Sequence, residues 1–381
     1  MKTLLLLLAL AGWRQHDVIS IETDSIYNKL VGIRRALHAW PELAGNEKHT
    51  QAFIRQHLED LGLEVESGTY GHSVIGILKG ARPGRNIAWR AEMDALPGDS
   101  PEAVDFASTV KGVWHGCGHD VHMAVALGIA EVLARHKASL AGTVYFIFQP
   151  EEETFKGAKG MIGHGLPDID EIYALHVTAL PVGTILVKPG EMFAYQRRVS
   201  IKLKADVSRN IYNALLRVHP GSKPWEIQHI NDPVTGLMNP QTIYKDYLFM
   251  DRGFNTYTVK DTLIMEAYLY ETNKSNLPGI ASQIKAVAGD NLYSVSFIQE
   301  NPTVVNDDSL VRGVKGVQCD YGQVPYFNDD FAYFQQQIRG VYFFLGGSDK
   351  ALNHAPGFKV DEECIRVGVR RFASMMIDRL K

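Results

Sequence analysis

The spacing of hydrophobic positions changes along the chain and divides it into elements. Ile26, Leu30, Ile33 and Leu37 recur every three or four residues, as on one buried face of a helix, until Trp40-Pro41 ends the run. A second helical stretch is expected over 47–61, closed by Gly62. Short apolar runs then alternate with glycines, at Val74–Leu78 and Asn86–Ala91. The pattern next predicts a helix over 122–136, a strand over TVYFIF at 143–148 and another over Ile172–His176. Strands alternating with helices read as an α/β sheet, whose sites lie at the C-terminal ends of strands.

Past residue 195 this alternation stops. Residues 240–270 are thick with aromatics: Tyr244, Tyr247, Phe249, Phe254, Tyr257, Tyr268 and Tyr270. The α/β pattern returns after 300, with VYFFLGG at 341–347 and a last helix over 361–380. This predicts a discontinuous main domain, 23–194 plus 301–381, interrupted by an inserted domain at 195–300. The aromatics of the insert suit core and dimer packing, or a lid that touches an acyl or aryl group. Residues 1–22 stand apart. MKTLLLLLALAG has one lysine, an apolar run and the small-residue pattern Ala9-Leu10-Ala11, the grammar of a signal peptide; a helical extension is the other reading. A genuine leader implies a periplasmic or extracellular protein, and its absence a cytoplasmic one. The run falls short of the ~20 apolar residues that a membrane span requires.

Composition removes some classes of partner. With 39 basic and 43 acidic residues the formal charge is −4, which offers no basic footprint for nucleic acid or anionic lipid. Three cysteines, Cys117, Cys319 and Cys364, are too few and too scattered for a disulfide framework.

One of them lies in His115-Gly-Cys117-Gly-His119-Asp120-Val-His122, where thiolate and imidazoles are ligands that a divalent ion such as Zn²⁺ accepts. Gln149-Pro150-Glu151-Glu152-Glu153 follows the TVYFIF strand, and three carboxylates at a strand end repel one another unless cations neutralise them. His176 ends a third apolar run, and Asn353-His354-Ala-Pro356 follows VYFFLGG. Cys, three His and Glu exceed what one structural zinc needs and suit two ions with a water between them.

These stretches resemble the metal-dependent amidohydrolases and carboxypeptidases that include hippurate hydrolase and the auxin-conjugate (IAA-amino acid) hydrolases. The matching segments are RRALHAWPEL (34–43), RAEMDALP (90–97), HGCGHDVH (115–122), FQPEEE (148–153), ALHV (174–177) and HAPGF (354–358), in the family's order. The resemblance implies a zinc-peptidase-like α/β catalytic domain, a central mixed sheet flanked by helices, with an inserted smaller α+β lid or dimerisation domain. It implies two divalent ions per subunit, Zn or Mn, held by Cys117, His119, Glu153, His176 and His354. Glu152 becomes the general base and Asp94 a carboxylate that orients a ligand histidine. The implied reaction is hydrolysis of the amide bond of an N-acyl amino acid, a dipeptide or a related conjugate. The partners would be a small-molecule substrate and a second copy docking through the insert, with neither nucleic acid nor membrane.

The sequence departs from the family in three places. Glu92 replaces an aspartate, and Glu151 stands where a small residue is usual. The insert also lacks the family's histidine pair, its Asn-x-x-Pro-Asp turn and its carboxylate-binding arginine. His219 and His229 lack the expected context, MEAYLYETN stands in place of the arginine strand, and Arg209, Arg252 and Lys245 are the nearest candidates for that partner. This divergence motivates a rival reading, a non-catalytic metal-bearing binding protein. A second rival is a thiol enzyme with Cys117 as nucleophile and His119 or His122 as base.

Overall fold

The computed structural model describes residues 2–99, 103–218, 248–271, 275, 277–299, 301–314, 316–317, 327–348, 353–355 and 358–381, with side chains omitted for 2–16, 248–253 and 299. His219, His229, Lys245, Tyr244, Tyr247, Cys319 and Pro356 lie outside the described residues, as do the side chains of Phe249 and Arg252. In chain order the main elements are α1 (Lys2–Ala39), α2 (Lys48–Asp60), β1 (Glu64–Ser67), β2 (Val74–Lys79), β3 (Arg82–Glu92), α3 (His119–Arg135), β4 (Ala141–Gln149), α4 (Gly157–His164), β5 (Glu171–Thr178) and β6 (Ile185–Leu186). They continue with β7 (Tyr195–Lys204), α5 (Arg209–Leu215), β8 (Leu248–Val259), β9 (Thr262–Glu271), α6 (Leu277–Ala288), β10 (Leu292–Gln299), β11 (Arg339–Gly346) and α7 (Glu363–Arg379).

The chain forms two compact units, one of Met1–Val187, Asp307–Gln318 and Tyr333–Lys381, the other of Lys188–Asn306 and Cys319–Ala332. The larger unit is built on a seven-stranded sheet ordered β1-β2-β4-β3-β5-β11-β6. Its four middle strands, β4, β3, β5 and β11, run parallel, while β1, β2 and β6 add antiparallel margins. β5 is buried at all eight positions, and β11 at all but Arg339, as expected of strands covered on both faces. Helices α1, α3 and α7 pack on one another, and α3 lies on β3 and β5. Gly128 permits that closeness: a Cβ there would stand 2.5 Å from Val369 Cγ2 and 2.7 Å from Leu30 Cδ1. The helical spacing read from the sequence survives in α1, whose Ile26, Leu30, Ile33 and Leu37 are all buried. No described helix is long and apolar enough to cross a membrane.

The smaller unit is an antiparallel sheet, ordered β8-β9-β7-β10, with α5 and α6 packed on it. Period-two alternation selects its inner face. Val199, Ile201 and Leu203 of β7 and Met265, Ala267 and Leu269 of β9 bury their side chains against Leu215, Ile280 and Ile284. The aromatics divide between two roles. Phe254 packs on this core, whereas Tyr257 and Tyr268 are exposed. Among the substrate-carboxylate candidates, Arg209 is exposed at the start of α5. Among the described residues of this unit, Arg197 is the buried arginine, and its Nε donates to Glu271 at 2.9 Å.

Candidate metal centre

The parallel strands deliver the chemistry to one edge of the larger sheet. Asp94 follows β3, Glu152 and Glu153 follow β4, His176 lies near the end of β5, and His354 follows β11. Cys117 and His119 flank Gly118, which starts α3 with φ 92°, a left-handed conformation that favours glycine. A Cβ on Gly118 would also meet Val177 Cγ1 at 2.4 Å. The helix therefore begins at His119, three residues before the start that periodicity predicts, because Gly118 turns the chain sharply enough for both flanking side chains to face the site.

All five residues expected as ligands converge. The Sγ of Cys117 lies 3.2 Å from His176 Nε2 and 3.1 Å from His354 Nε2. His354 Nε2 is 3.5 Å from Glu153 Oε1, and His119 Nε2 is 3.9 Å from that oxygen and 3.8 Å from Glu152 Oε2. Of five clusters among the described residues that could hold an ion, Cys117–His119–His176 and Cys117–Glu153–His354 share the thiolate, while Glu152 falls in two others, with His119 and Glu153 and with Asp329 and Asp330. Around a tetrahedral zinc, a sulfur and a nitrogen ligand stand roughly 3.5 Å apart, close to these separations.

Hydrogen bonding sets the histidine tautomers. His119 Nδ1 donates to the Asp94 carbonyl at 2.8 Å, and His176 Nδ1 donates to the Val177 carbonyl at 2.7 Å. Each ring therefore presents the lone pair of Nε2 to the cluster, the arrangement a metal-binding imidazole needs. His119 Nε2 and Glu153 Oε1 are buried and lack a hydrogen-bond partner among the described residues. Burial, then the neighbouring imidazoles His122 and His176, hold His119 well below its ordinary pKa, which keeps the ring neutral, the form in which an imidazole can bind a metal. Burial, then the charges of Glu153 and Glu152, push the Cys117 thiol well above its ordinary value. A cation beside the thiol and the two carboxylates reverses that shift and relieves their crowding, so the donor set fits two divalent ions.

Asp94 departs from its expected role. Its Oδ1 is 3.7 Å from His119 Nδ1, so its main-chain carbonyl orients the ring instead. The carboxylate accepts from the backbone N–H groups of Glu152 at 3.0 Å and Glu153 at 2.9 Å. The turn itself is sharp: Glu151 and Phe155 both adopt left-handed backbone. Glu151 N–H is fixed by buried Glu47 Oε1 at 2.9 Å.

Several supporting contacts are visible only in three dimensions. Asp120 accepts a hydrogen bond from His38 Nδ1 at 2.8 Å and lies 2.7 Å from Arg34 Nε. Burial alone would raise the Asp120 carboxyl, but Arg34 and then His38 hold it well below the usual range. The spacing of Arg34 and His38 on α1, four residues apart, was the available signal. A second chain runs through Arg90, Glu92 and His122. Arg90 Nε donates to Gln149 Oε1 at 2.8 Å and its Nη1 to Glu92 Oε1, while His122 Nδ1 donates to Glu92 Oε2 at 2.8 Å. His122 Nε2 then accepts the Val177 N–H at 2.9 Å, beside His176. Both nitrogens of His122 are thus engaged, which removes it as the base of a thiol mechanism.

The model of peptidase family M20/M25/M40 matches residues 88–378. The chain belongs to this family. N-acetylcysteine deacetylase of Bacillus subtilis is 30% identical to it, the match covering 93% of this chain and 97% of the relative. IAA-amino acid hydrolase ILR1-like 4 of Arabidopsis thaliana is 29% identical, over 92% of this chain and 86% of the relative. Among solved structures, the Bacillus subtilis YXEP protein, a dinuclear metal binding peptidase of the M20 family, superposes with a TM-score of 0.78 at 28% identity, over 94% of this chain and 99% of that one. This family member is a metal-dependent amidohydrolase, a C–N hydrolase with a mixed α/β catalytic fold. The non-catalytic alternative finds no support among these relatives.

Proposed function

We propose that this M20 hydrolase cleaves the amide of an N-acyl amino acid or a related amino-acid conjugate, with Glu152 as general base and Cys117, His119, Glu153, His176 and His354 as metal ligands. The observation that carries this reading is the Cys117 thiol lying within 3.2 Å of two imidazole nitrogens while Glu152, 3.8 Å from His119 Nε2, belongs to neither Cys117 group. Relatives named for N-acetylcysteine and IAA-amino acid substrates support the substrate class.

Bound divalent ions would supply Lewis acidity, polarising the scissile carbonyl and acidifying an attacking water. Glu152 takes the proton of that water and carries it to the amine nitrogen as the C–N bond breaks. Asp94 holds the backbone of both Glu152 and Glu153, so base and ligand keep a fixed spacing through the proton transfer. A thiolate with imidazoles favours zinc over manganese as the resident metal. We further propose that the smaller unit serves substrate recognition and pairs two copies. Its exposed Tyr293 and Ile298 on β10, an outermost strand of its sheet, support the second role.

The test is a hydrolysis screen over N-acetyl amino acids, aroyl amino acids and dipeptides, with protein reconstituted in Zn²⁺ or Mn²⁺. Turnover of an N-acyl amino acid, abolished by a chelator and restored by metal, is expected. Protein carrying two ions yet inert across the whole panel would sink the proposal.

A further inference from the structure

We infer that Asn353 is a positioning residue that ties together the three segments supplying Cys117, His176 and His354. This rests on the metal-centre reading above and deepens it. The Nδ2 of Asn353 donates to the Cys117 carbonyl at 2.8 Å and to the Val177 carbonyl at 2.9 Å. Two acceptors on one end of the amide settle which end carries the nitrogen, because an oxygen there would face two carbonyl oxygens. One side chain therefore spends both its hydrogens on two loops, each holding a ligand, while its own backbone leads into a third.

The neighbouring bonds make this a joint. His354 adopts φ 67°, a left-handed conformation that is strained for a non-glycine residue and needs its surroundings to hold it. Its N–H donates to the Gly116 carbonyl at 2.9 Å, one residue before Cys117. The Val177 carbonyl that receives Asn353 also receives His176 Nδ1, so the amide braces the atom that sets the tautomer of His176. The His354 side chain is itself 53% exposed. Among the described residues, the Gly116 bond registers the His354 backbone to the Cys117 segment, and the Asn353 amide reinforces it.

The prediction separates hydrogen-bond donation from mere space filling. Asn353→Ala loses both donors. Asn353→Asp keeps the shape but sets a charged acceptor against two carbonyls, and so is expected to be worse. Affinity for Zn²⁺ is read by competition with a chromophoric chelator, without substrate, alongside metal content by elemental analysis. Supporting partners of metal ligands typically contribute 10–100-fold in affinity. Asn353→Ala should weaken at least one of two zinc sites by about that factor, and Asn353→Asp by more. The metal-free variants should keep the circular dichroism of metal-free wild type, which excludes misfolding as the cause, with only the modest fall in unfolding temperature that two lost hydrogen bonds bring. Zinc binding by both variants at wild-type affinity would overturn the inference, as would an aspartate variant that binds as tightly as wild type. A wild type that binds no zinc would fail differently, removing the metal-centre reading and the joint with it.

Discussion

At the scale of single residues, the proposed ligands and base announce themselves by type and crowding, while their supports do not. The distinction matters most at Glu152 and Glu153, adjacent carboxylates of unequal assignment. Glu153 Oε1 faces His354 and His119, whereas Glu152 stands beside His119 outside both Cys117 groups. Glu152→Gln should therefore retain two ions by elemental analysis and lose turnover by about 10²–10⁴-fold, the usual contribution of a positioned base. A variant with near-normal kcat would remove Glu152 from the proton transfer. The contrast with Asp94 shows where sequence reading stops. A carboxylate near a motif histidine looks like a partner for its ring. Which of its atoms makes the contact is a property of backbone path, and here the carbonyl holds His119 while the carboxylate holds the turn. Glu92 and His122 are similar: each is visible in its motif, but their bond spans 30 residues of chain and has no local signature.

At the scale of elements, legibility follows burial. The fully covered strands β5 and β11 are apolar runs whose ends the hydrophobic pattern marks within a residue or two, and so is α7. The expected start of α3 is late because a helix entry made by left-handed Gly118 carries no capping side chain. The smaller unit is harder to read, since the apolar core among its described residues lies on one face of its sheet while its aromatics occur on both. Its outermost strand β10 pairs with β7 along one side. It exposes Tyr293 at 56% and Ile298 at 44%, unusual for an outermost strand unless something covers it. If two copies meet there, Ile298→Lys should place a charge in the contact and shift sedimentation toward the 42.5 kDa protomer, leaving the fold intact. Wild type that sediments as a protomer at every concentration would refute the pairing.

At the scale of the whole molecule, the five proposed ligands are spread widely in sequence but confined to one compact unit. Cys117 and His354 are 237 residues apart, yet both belong to the larger unit, as do His119, Glu153 and His176. Ions held there would link α3 to the segments after β4, β5 and β11, contacts that the unfolded chain lacks. Any ligand that binds only the folded state stabilises it by mass action, by about 2.7 kcal/mol per site at a hundred times its dissociation constant. Two units with separate cores need not melt together, so calorimetry is the suitable measurement rather than a single midpoint. Where two transitions resolve, zinc should raise the one belonging to the larger unit by several degrees, and a chelator should return it, with the other unmoved. Cys117→Ala, which removes the thiolate common to both groups, should abolish most of the gain. If stripped and zinc-loaded protein melt at the same temperatures in both transitions, the five side chains do not hold ions, however close they lie, and the hydrolytic role proposed for this cluster loses its foundation.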